Sequence, residues 1–190
     1  LRNRFKYEGF IFEPVSSPDI ISSFDCGHLD LNDFFHNDLL THETELLART
    51  YSFTMERAEG NILLALISFC NDAIRLEEFK GQIKIPFRHR SVPAVKIARI
   101  GVQKEYCRKG IGSTIVALTK TFFTIENRTG CRIITVDAYN EPNVLRFYKK
   151  NLFDFLTHKD DRKRTRIMWY DLRSTNEKAL QEFASKIQPL

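Results

Sequence analysis

The residues best suited to chemistry form a short basic turn with two glycines, Arg108-Lys109-Gly110-Ile111-Gly112-Ser113. A β-branched apolar run from Val95 to Val102 precedes the turn, and a long amphipathic run follows it. This order predicts a buried strand, a turn and a helix. Glycine lets the backbone approach a ligand closely, and the first N–H groups of a helix have no intrahelical acceptor. Together with the charges of Arg108 and Lys109, the turn predicts an anion site that suits a pyrophosphate.

The helix after the turn must hold these N–H groups in place. Its apolar residues recur at helical spacing, which predicts one stripe packed on a core: Ile111, Ile115, Leu118, Phe122 and Ile125. The spacing of the glycines excludes two well-known phosphate loops, Gly-x-Gly-x-x-Gly and Gly-x-x-x-x-Gly-Lys-Ser/Thr. A Gly-x-Gly alone is weak evidence, because many strand-to-helix turns need glycine only for its positive φ.

The composition is that of a globular domain. The chain has 190 residues, of which 43% are hydrophobic, and 16 phenylalanines predict a bulky core. No apolar run reaches the length of a membrane span, and no signal-peptide pattern opens the chain. The four cysteines, which contain no Cys-x-x-Cys pair, favour reduced thiols and a cytoplasmic setting. Cys26-x-His28 is too short for a zinc motif, so we expect no metal site.

The charge of the chain is +5, with a pI near 9.0. Basic residues cluster at three places: 88–90, 108–109 and 162–166. Any one cluster is compatible with an ordinary solvated surface. A polyanionic partner would use them together, because a nucleotide cofactor would need part of this charge and RNA could use the rest.

Hydrophobic periodicity predicts a mixed α/β order. Seven strands are expected, at 9–15, 49–56, 61–70, 95–102, 131–138, 153–157 and 166–172. Further helices are expected at 30–41, with Asp30 as its cap, at 142–150 and at about 175–187. A short helix is expected to open at Pro18-Asp19, and another is possible at 76–79. The last long helix should pack through Ala179, Leu180, Phe183, Ala184 and Ile187. Neither a repeat nor a linker interrupts the chain, so we expect a single domain over 1–190.

The segment Ile97-Ala-Arg-Ile-Gly-Val102, followed by Arg108-Lys-Gly-Ile-Gly112, resembles the acetyl-CoA motif of the GNAT superfamily of N-acetyltransferases. That motif is Arg/Gln-x-x-Gly-x-Gly/Ala after the central strand. Phe24-Asp-Cys-Gly27, followed by Leu31-Asn-Asp-Phe-Phe35, is similar to the entry of a branch that includes toxins acetylating aminoacyl-tRNA. The resemblance covers most of residues 10–172.

This resemblance implies the GNAT fold, a mixed and mostly antiparallel twisted sheet of about six or seven strands flanked by helices. Its motif core would span 94–157, and the helix at about 175–187 would be an extra C-terminal one. The implied cofactor is acetyl-CoA, with its pantetheine arm along Ile100, Gly101 and Val102, where the central strand splays from the next one. The Val102 N–H would be the oxyanion donor. The resemblance places the pyrophosphate on residues 108–113, and Asn140 near the cofactor arm.

The segment Phe147-Tyr-Lys-Lys-Asn-Leu-Phe153 resembles the family signature Phe-Tyr-x-x-x-Gly-Phe. Tyr148 matches the general acid that gives a proton to the departing thiolate. A phenol titrates at about 10, so it holds this proton at neutral pH. The alternative interpretation of Tyr148 is a core aromatic beside Phe147. No general base stands out, and an α-amino group that titrates at about 8 could react without one.

The first hypothesis is therefore an acetyl-CoA-dependent N-acetyltransferase acting on a primary amine. Aminoacyl-tRNA is the favoured acceptor, with a small amine or a protein amino group as the alternatives. The resemblance also implies a homodimer and, for the toxin branch, an antitoxin partner. Two departures from the family pattern, Cys107 for Arg or Gln and Leu152 for Gly, favour a second hypothesis. This is a non-catalytic module that binds acyl-CoA or nucleic acid.

Overall fold

The computed structural model describes residues 4–15, 17–85, 89–125, 127 and 129–190, without the side chains of 179 and 189. Arg88, from the first basic cluster, and the side chain of Ala179, from the predicted face of the last helix, lie outside the described residues. Every helix among the described residues is too short or too polar to span a lipid bilayer.

The described part of the chain forms a nine-stranded sheet, in the order β7-β8-β6-β5-β4-β3-β2-β1-β9. The strands are β1 Phe5–Tyr7, β2 Phe10–Pro14, β3 Arg49–Met55, β4 Ile62–Arg75, β5 Ser91–Val102, β6 Ile133–Tyr139, β7 Asp154–Phe155, β8 Thr165–Asp171 and β9 Ile187–Pro189. The ladder between β5 and β6 is parallel, whereas the ladders of β1–β2, β2–β3, β3–β4, β6–β8, β7–β8 and β1–β9 are antiparallel. The predicted mixed and mostly antiparallel fold class is confirmed.

Five α-helices accompany this sheet in the described residues: α1 Leu29–Asp33, α2 Leu39–Thr44, α3 Ile111–Ile125, α4 Pro142–Lys150 and α5 Glu177–Lys186. A π-helical turn at Phe34–Asp38 joins α1 to α2, and it buries Phe34 and Phe35. Pro142 occupies the first turn of α4, where its missing N–H costs nothing. Short 3-10 turns lie at Pro18–Ile21, Leu76–Phe79, Lys104–Tyr106 and Leu172–Ser174.

All seven predicted strands are present, but the sheet also contains β1 and β9. Each has three residues, too few for a period-two pattern to be visible in sequence. β1 pairs with β2 across a turn at Glu8 and Gly9, and β9 pairs with β1 on its other side. The expected count of six or seven strands was therefore too low.

Three helix predictions need correction. The helix expected at 30–41 begins at Leu29 with His28 as its N-cap, so Asp30 lies in the first turn and is not the cap. The C-terminal helix ends at Lys186, Ala184 is exposed, and Ile187 belongs to β9. The stripe of α3 stops short of Ile125, which is 47% exposed.

The chain folds into two compact units, each assembled from segments that are distant in sequence. The first unit comprises 1–70, 98–115 and 176–190, and the second comprises 71–97 and 116–175. One buried cluster of the first unit consists of Val15, Ile21, Phe24, Phe34, Phe35, Leu39 and Leu66. One buried cluster of the second consists of Phe79, Ile83, Val92, Ala94, Ile133, Leu156 and Trp169. The single-domain assignment over 1–190 stays a prediction.

Leu152 occupies the turn after α4 in a left-handed conformation, with φ +63°, and its side chain is 70% exposed. This conformation costs a non-glycine residue about 1 kcal/mol or more. We expect Leu152→Gly to raise the free energy of unfolding by about 0.5–1 kcal/mol in urea denaturation. Leu40→Gly, in the helical backbone of α2, should lower it by about 1 kcal/mol. Equal destabilisation by both changes would contradict this account of Leu152.

Candidate functional site

In the first unit, the end of β5 packs closely against the Phe24–Gly27 turn. A Cβ atom on Gly101 would lie 3.0 Å from Phe24 Cζ, 3.1 Å from Phe35 Cε2 and 3.2 Å from Cys26 Cβ. Both rings are fully buried, so neither can move aside easily. Position 101 therefore accepts only glycine without rearrangement. The two segments that carried the family resemblance are thus in direct contact.

Gln103, the residue that follows β5, bonds the same turn to the end of the strand. Its side-chain carbonyl accepts the Asp25 N–H at 2.8 Å, and its amide donates to the Ser23 carbonyl at 3.3 Å. The Lys104 N–H donates to the Asp25 carbonyl at 2.8 Å. Sequence reasoning missed Gln103. The available signal was a polar side chain placed directly after the predicted end of a buried strand.

The Asp25 carboxylate stabilises the turn through hydrogen bonds to nearby residues. It accepts the Asn32 side-chain amide at 2.7 Å and the Gly27 N–H at 2.8 Å, and these two bonds lower the Asp25 pKa. The Cys26 thiol donates to Asn32 Oδ1 at 3.0 Å, and burial raises the Cys26 pKa. Cys26 is therefore a structural thiol rather than a thiolate. Within the ranges described, no cluster of His, Cys, Asp and Glu could hold a metal ion.

The predicted glycine turn lies between Val102 and α3, also in the first unit. Arg108 and Gly110 both adopt positive φ, +62° and +87°. A Cβ on Gly110 would meet nothing within 4 Å, so glycine is required there by conformation and the space beside it is open. The Cys107 thiol donates to the Val102 carbonyl at 3.5 Å and thereby ties the turn to the strand.

The turn delivers the chain into α3 at its amino end. The Thr114 N–H and hydroxyl both donate to the Gly110 carbonyl, at 3.0 and 3.3 Å. The N–H groups of Ile111 and Gly112 precede this first intrahelical bond, and N–H groups at the start of an α-helix have no acceptor within the helix. The exposed side chains of Arg108 and Lys109 lie on the same turn. The six predicted residues from Arg108 to Ser113 thus form one turn and the start of α3, and their role in binding a pyrophosphate stays a prediction.

The predicted groove residues Ile100, Gly101 and Val102 lie beyond the parallel ladder of β5. That ladder runs from Ala94↔Ile133 to Ile97↔Val136 and ends there. The backbone groups of residues 100–102 on this edge of β5 take no part in it. Their role in cofactor binding, including that of the Val102 N–H, stays a prediction.

Tyr148 belongs to the second unit, on α4. Its side chain is 4% exposed, and its ring lies 5.0 Å from the Phe147 ring and 5.5 Å from the Phe153 ring, centroid to centroid. Burial raises the pKa of the Tyr148 phenol well above its ordinary value. The phenol therefore keeps its proton throughout the neutral range. A core aromatic and a proton donor both fit these facts.

Lys120 is the one charged residue of α3, and sequence reasoning missed it. It is buried, and its ammonium group donates to the Asn151 carbonyl directly after α4. The same nitrogen lies 3.7 Å from the Tyr170 ring centroid and 5.2 Å from that of Phe153. Burial lowers the Lys120 pKa to about 8. Lys120 thus holds the segment that ends the Tyr148 helix. The sequence signal was a lone charge in a fifteen-residue helix.

Asn140 follows β6 in the second unit and fastens a charged loop. Its side-chain amide donates to the carbonyls of Asp161 and Lys163, each at 2.9 Å. Its backbone N–H donates to the Arg164 carbonyl at 2.9 Å. Both amide hydrogens are therefore engaged within the protein. The predicted cofactor contact of Asn140 would have to use its Oδ1 atom, and it stays a prediction.

No protein-family model matches the sequence, and no curated protein matches it significantly. Solved structures do match. A tyrosine-to-phenylalanine mutant of KacT is 20% identical with a TM-score of 0.72, and the match covers 93% of this chain and 100% of KacT. AtaTR bound with acetyl-CoA is 22% identical, with a TM-score of 0.68 and coverage of 88% and 96%. AtaT complexed with acetyl-methionyl-tRNAfMet is 21% identical, with a TM-score of 0.69 and coverage of 87% and 96%. The chain therefore has the GNAT fold seen in these toxin structures.

Proposed function

We propose that the chain is an N-acetyltransferase that takes its acetyl group from acetyl-CoA. The observation that carries this proposal is the continuous segment of β5, glycine turn and α3. It combines open space at Gly110, the N–H groups of residues that open α3 and two exposed cations. These features fit a pyrophosphate. The solved complex of AtaTR with acetyl-CoA supports the same cofactor for this chain.

When bound, acetyl-CoA supplies an activated thioester. The first turn of α3, with Arg108 and Lys109, binds its pyrophosphate through N–H groups, the helix dipole and charge. The backbone of Ile100 and Gly101 orients the pantetheine arm. The Val102 N–H stabilises the negative charge that develops on the carbonyl oxygen. Asn140 contributes a hydrogen bond to the cofactor arm through its Oδ1 atom.

Tyr148 is the general acid of the proposed reaction. The C–N bond forms as the C–S bond breaks, the phenol gives its proton to the departing thiolate, and the proton that the nitrogen loses replaces the one that the phenol gave. Its raised pKa keeps the proton in place at neutral pH. KacT and AtaT have both been solved as tyrosine-to-phenylalanine mutants, which supports a functional role for one tyrosine in proteins of this fold.

The proposed acceptor is the amino group of aminoacyl-tRNA. Support comes from the AtaT complex with acetyl-methionyl-tRNAfMet and from the basic balance of this chain. An α-amino group that titrates at about 8 is partly neutral at pH 7, so no dedicated base is required. AtaT has also been solved with its antitoxin AtaR, which supports an antitoxin as a partner here. A homodimer stays a prediction.

The test is transfer of labelled acetyl groups from acetyl-CoA to charged tRNA. We expect label on aminoacyl-tRNA and none on uncharged tRNA, because only the charged form carries the amine. A panel of small amines and protein amino groups tests the alternative acceptors. Cofactor binding without product on any acceptor would contradict the proposal. It would favour a non-catalytic acyl-CoA-binding module, the alternative that the two departures from the family pattern, Cys107 and Leu152, also favour.

A further inference from the structure

The hairpin loop His158–Arg164 lies between β7 and β8, and we call it the basic loop. Its acidic side chains pair with an arginine of β8, whereas its basic side chains are exposed. In sequence the loop reads His-Lys-Asp-Asp-Arg-Lys-Arg, so two aspartates offset part of the charge of its four lysines and arginines. In the structure both carboxylates pair with Arg166 on β8. Arg166 Nε lies 2.8 Å from Asp160 Oδ1, and its Nη2 lies 2.6 Å from Asp161 Oδ1. The acidic charge of the loop is thus directed to one guanidinium group of the protein.

The Asp160–Arg166 pair is buried, with Asp160 3% and Arg166 7% exposed. Asp160 Oδ2 also accepts the Ile167 N–H at 2.7 Å, so both carboxylate oxygens have donors. The Arg166 guanidinium stacks 4.1 Å from the centroid of the Phe155 ring. A buried pair that satisfies its hydrogen-bonding atoms holds its geometry firmly. This pair therefore forms a rigid base for the basic loop.

The cations of the loop are left on the outside. Lys159, Arg162 and Lys163 are exposed, and among the described residues none of the three has a carboxylate within ion-pair distance. Asp161, the exposed acid of the loop, is engaged by Arg166. The outer surface of the loop is therefore strongly positive, although its sequence contains two aspartates.

Asn140 connects the basic loop to the residues that begin α4. Its amide donates to the Asp161 and Lys163 carbonyls, and its N–H donates to the Arg164 carbonyl. Pro142, which opens α4, follows only two residues later. The positive surface is thus fixed relative to the helix that carries Tyr148.

We propose that the basic loop binds the phosphate backbone of the RNA acceptor through Lys159, Arg162 and Lys163. This inference rests on the proposed function and specifies where its substrate is held. The loop contains no apolar side chain, which argues against insertion into a lipid bilayer or a hydrophobic protein interface. A fixed group of cations with no internal carboxylate partner matches an extended polyanion.

The experiment measures the affinity of the full chain for a fluorescent RNA hairpin with a single-stranded 3′ end, over a range of salt concentrations. The loop variant combines Lys159→Gln, Arg162→Gln and Lys163→Gln. Neutralising three phosphate contacts should weaken binding on the order of 50-fold near ~0.15 M salt and reduce the salt slope by about 2. Arg162→Gln alone should weaken binding about 4-fold. The melting temperature of each variant checks that it folds.

The matched control combines Arg57→Gln, Lys80→Gln and Lys178→Gln, three exposed cations outside the loop. We expect the control to keep more than half of the wild-type affinity. Unchanged binding by the loop variant, or an equal loss in the control, would overturn the inference. Failure of the proposed function is distinguishable, because it would abolish acetyl transfer and leave the loop-dependent RNA binding intact. Conversely, transfer to charged tRNA with loop-independent binding would overturn only the inference.

Discussion

Tyr148→Phe is expected to lower kcat for acetyl transfer by about 100- to 1000-fold, while the Kd for acetyl-CoA stays within about 2-fold of wild type. The phenyl ring preserves the packing against Phe147 and Phe153, so the change removes only the hydroxyl group and its proton. Rapid-quench measurement of transfer gives kcat, and calorimetry with acetyl-CoA gives the affinity. Because the Tyr148 pKa is raised, kcat should also show no decrease from loss of this proton up to about pH 10.

Tyr170→Phe is the matched control for this prediction. Tyr170 is also a buried tyrosine of the second unit, and its hydroxyl lies within the fold, 3.2 Å from Thr175 Oγ1. The control should change kcat by less than about 3-fold, because a hydroxyl that only stabilises the fold leaves the chemistry intact. Wild-type turnover in Tyr148→Phe would assign Tyr148 to the core and remove it from the mechanism.

Gly101→Ala is expected to lower the free energy of unfolding by about 1–3 kcal/mol. The added methyl group would meet Phe24 and Phe35 at 3.0–3.1 Å, and both rings are enclosed by the core of the first unit. The strand end must then shift away from the Phe24–Gly27 turn. Urea denaturation measures the loss, and acetyl-CoA affinity should fall with it because residue 101 belongs to the proposed groove.

A second substitution tests the cause of this loss. Phe35→Leu removes the ring atom that lies 3.1 Å from the added methyl group. If contact with the ring is responsible, Gly101→Ala should cost at least about 1 kcal/mol less in the Phe35→Leu background than in the wild type. Strictly additive effects would show that the Phe35 contact does not explain the role of Gly101.

Much of the fold could be predicted from local pattern. The strands around residues 49–56 and 166–172 and the helix at 142–150 each combine a clear period with a clear boundary, such as Pro142. The structure gives β3 Arg49–Met55, β8 Thr165–Asp171 and α4 Pro142–Lys150. β1 and β9 escaped prediction because a three-residue edge strand is defined by its partner and not by its own sequence.

The misplaced helix features also have a physical reason. Asp30 has the residue type of a cap, but the helix begins one residue earlier, where the acid still favours the first turn through the dipole. Ile125 has the right spacing on α3, yet the buried part of the helix ends at Phe123. Where a helix leaves the core depends on its neighbours, and a periodic pattern carries no information about them.

In the candidate site, too, local features were predictable from the sequence and features set by distant partners were not. The glycine turn was predictable because the positive φ at Gly110 and the start of α3 are local properties of the chain. Gln103 and Lys120 act through partners distant in sequence, namely Asp25 and Asn151. The orientation of charge in the basic loop depends on Arg166 and Asn140. These pairings join residues from different segments of the chain, so no periodic pattern predicts them.

A crystal structure of the chain with CoA would test the proposed cofactor site. We expect the pyrophosphate oxygens to accept hydrogen bonds, at about 2.7–3.2 Å, from backbone N–H groups of residues 108–113. In a Gly110→Ala variant we expect the placement of the pyrophosphate to change, because alanine strains the turn at this positive φ. A wild-type complex in which the pyrophosphate contacts another part of the chain, and leaves these N–H groups to solvent, would contradict the proposed cofactor site.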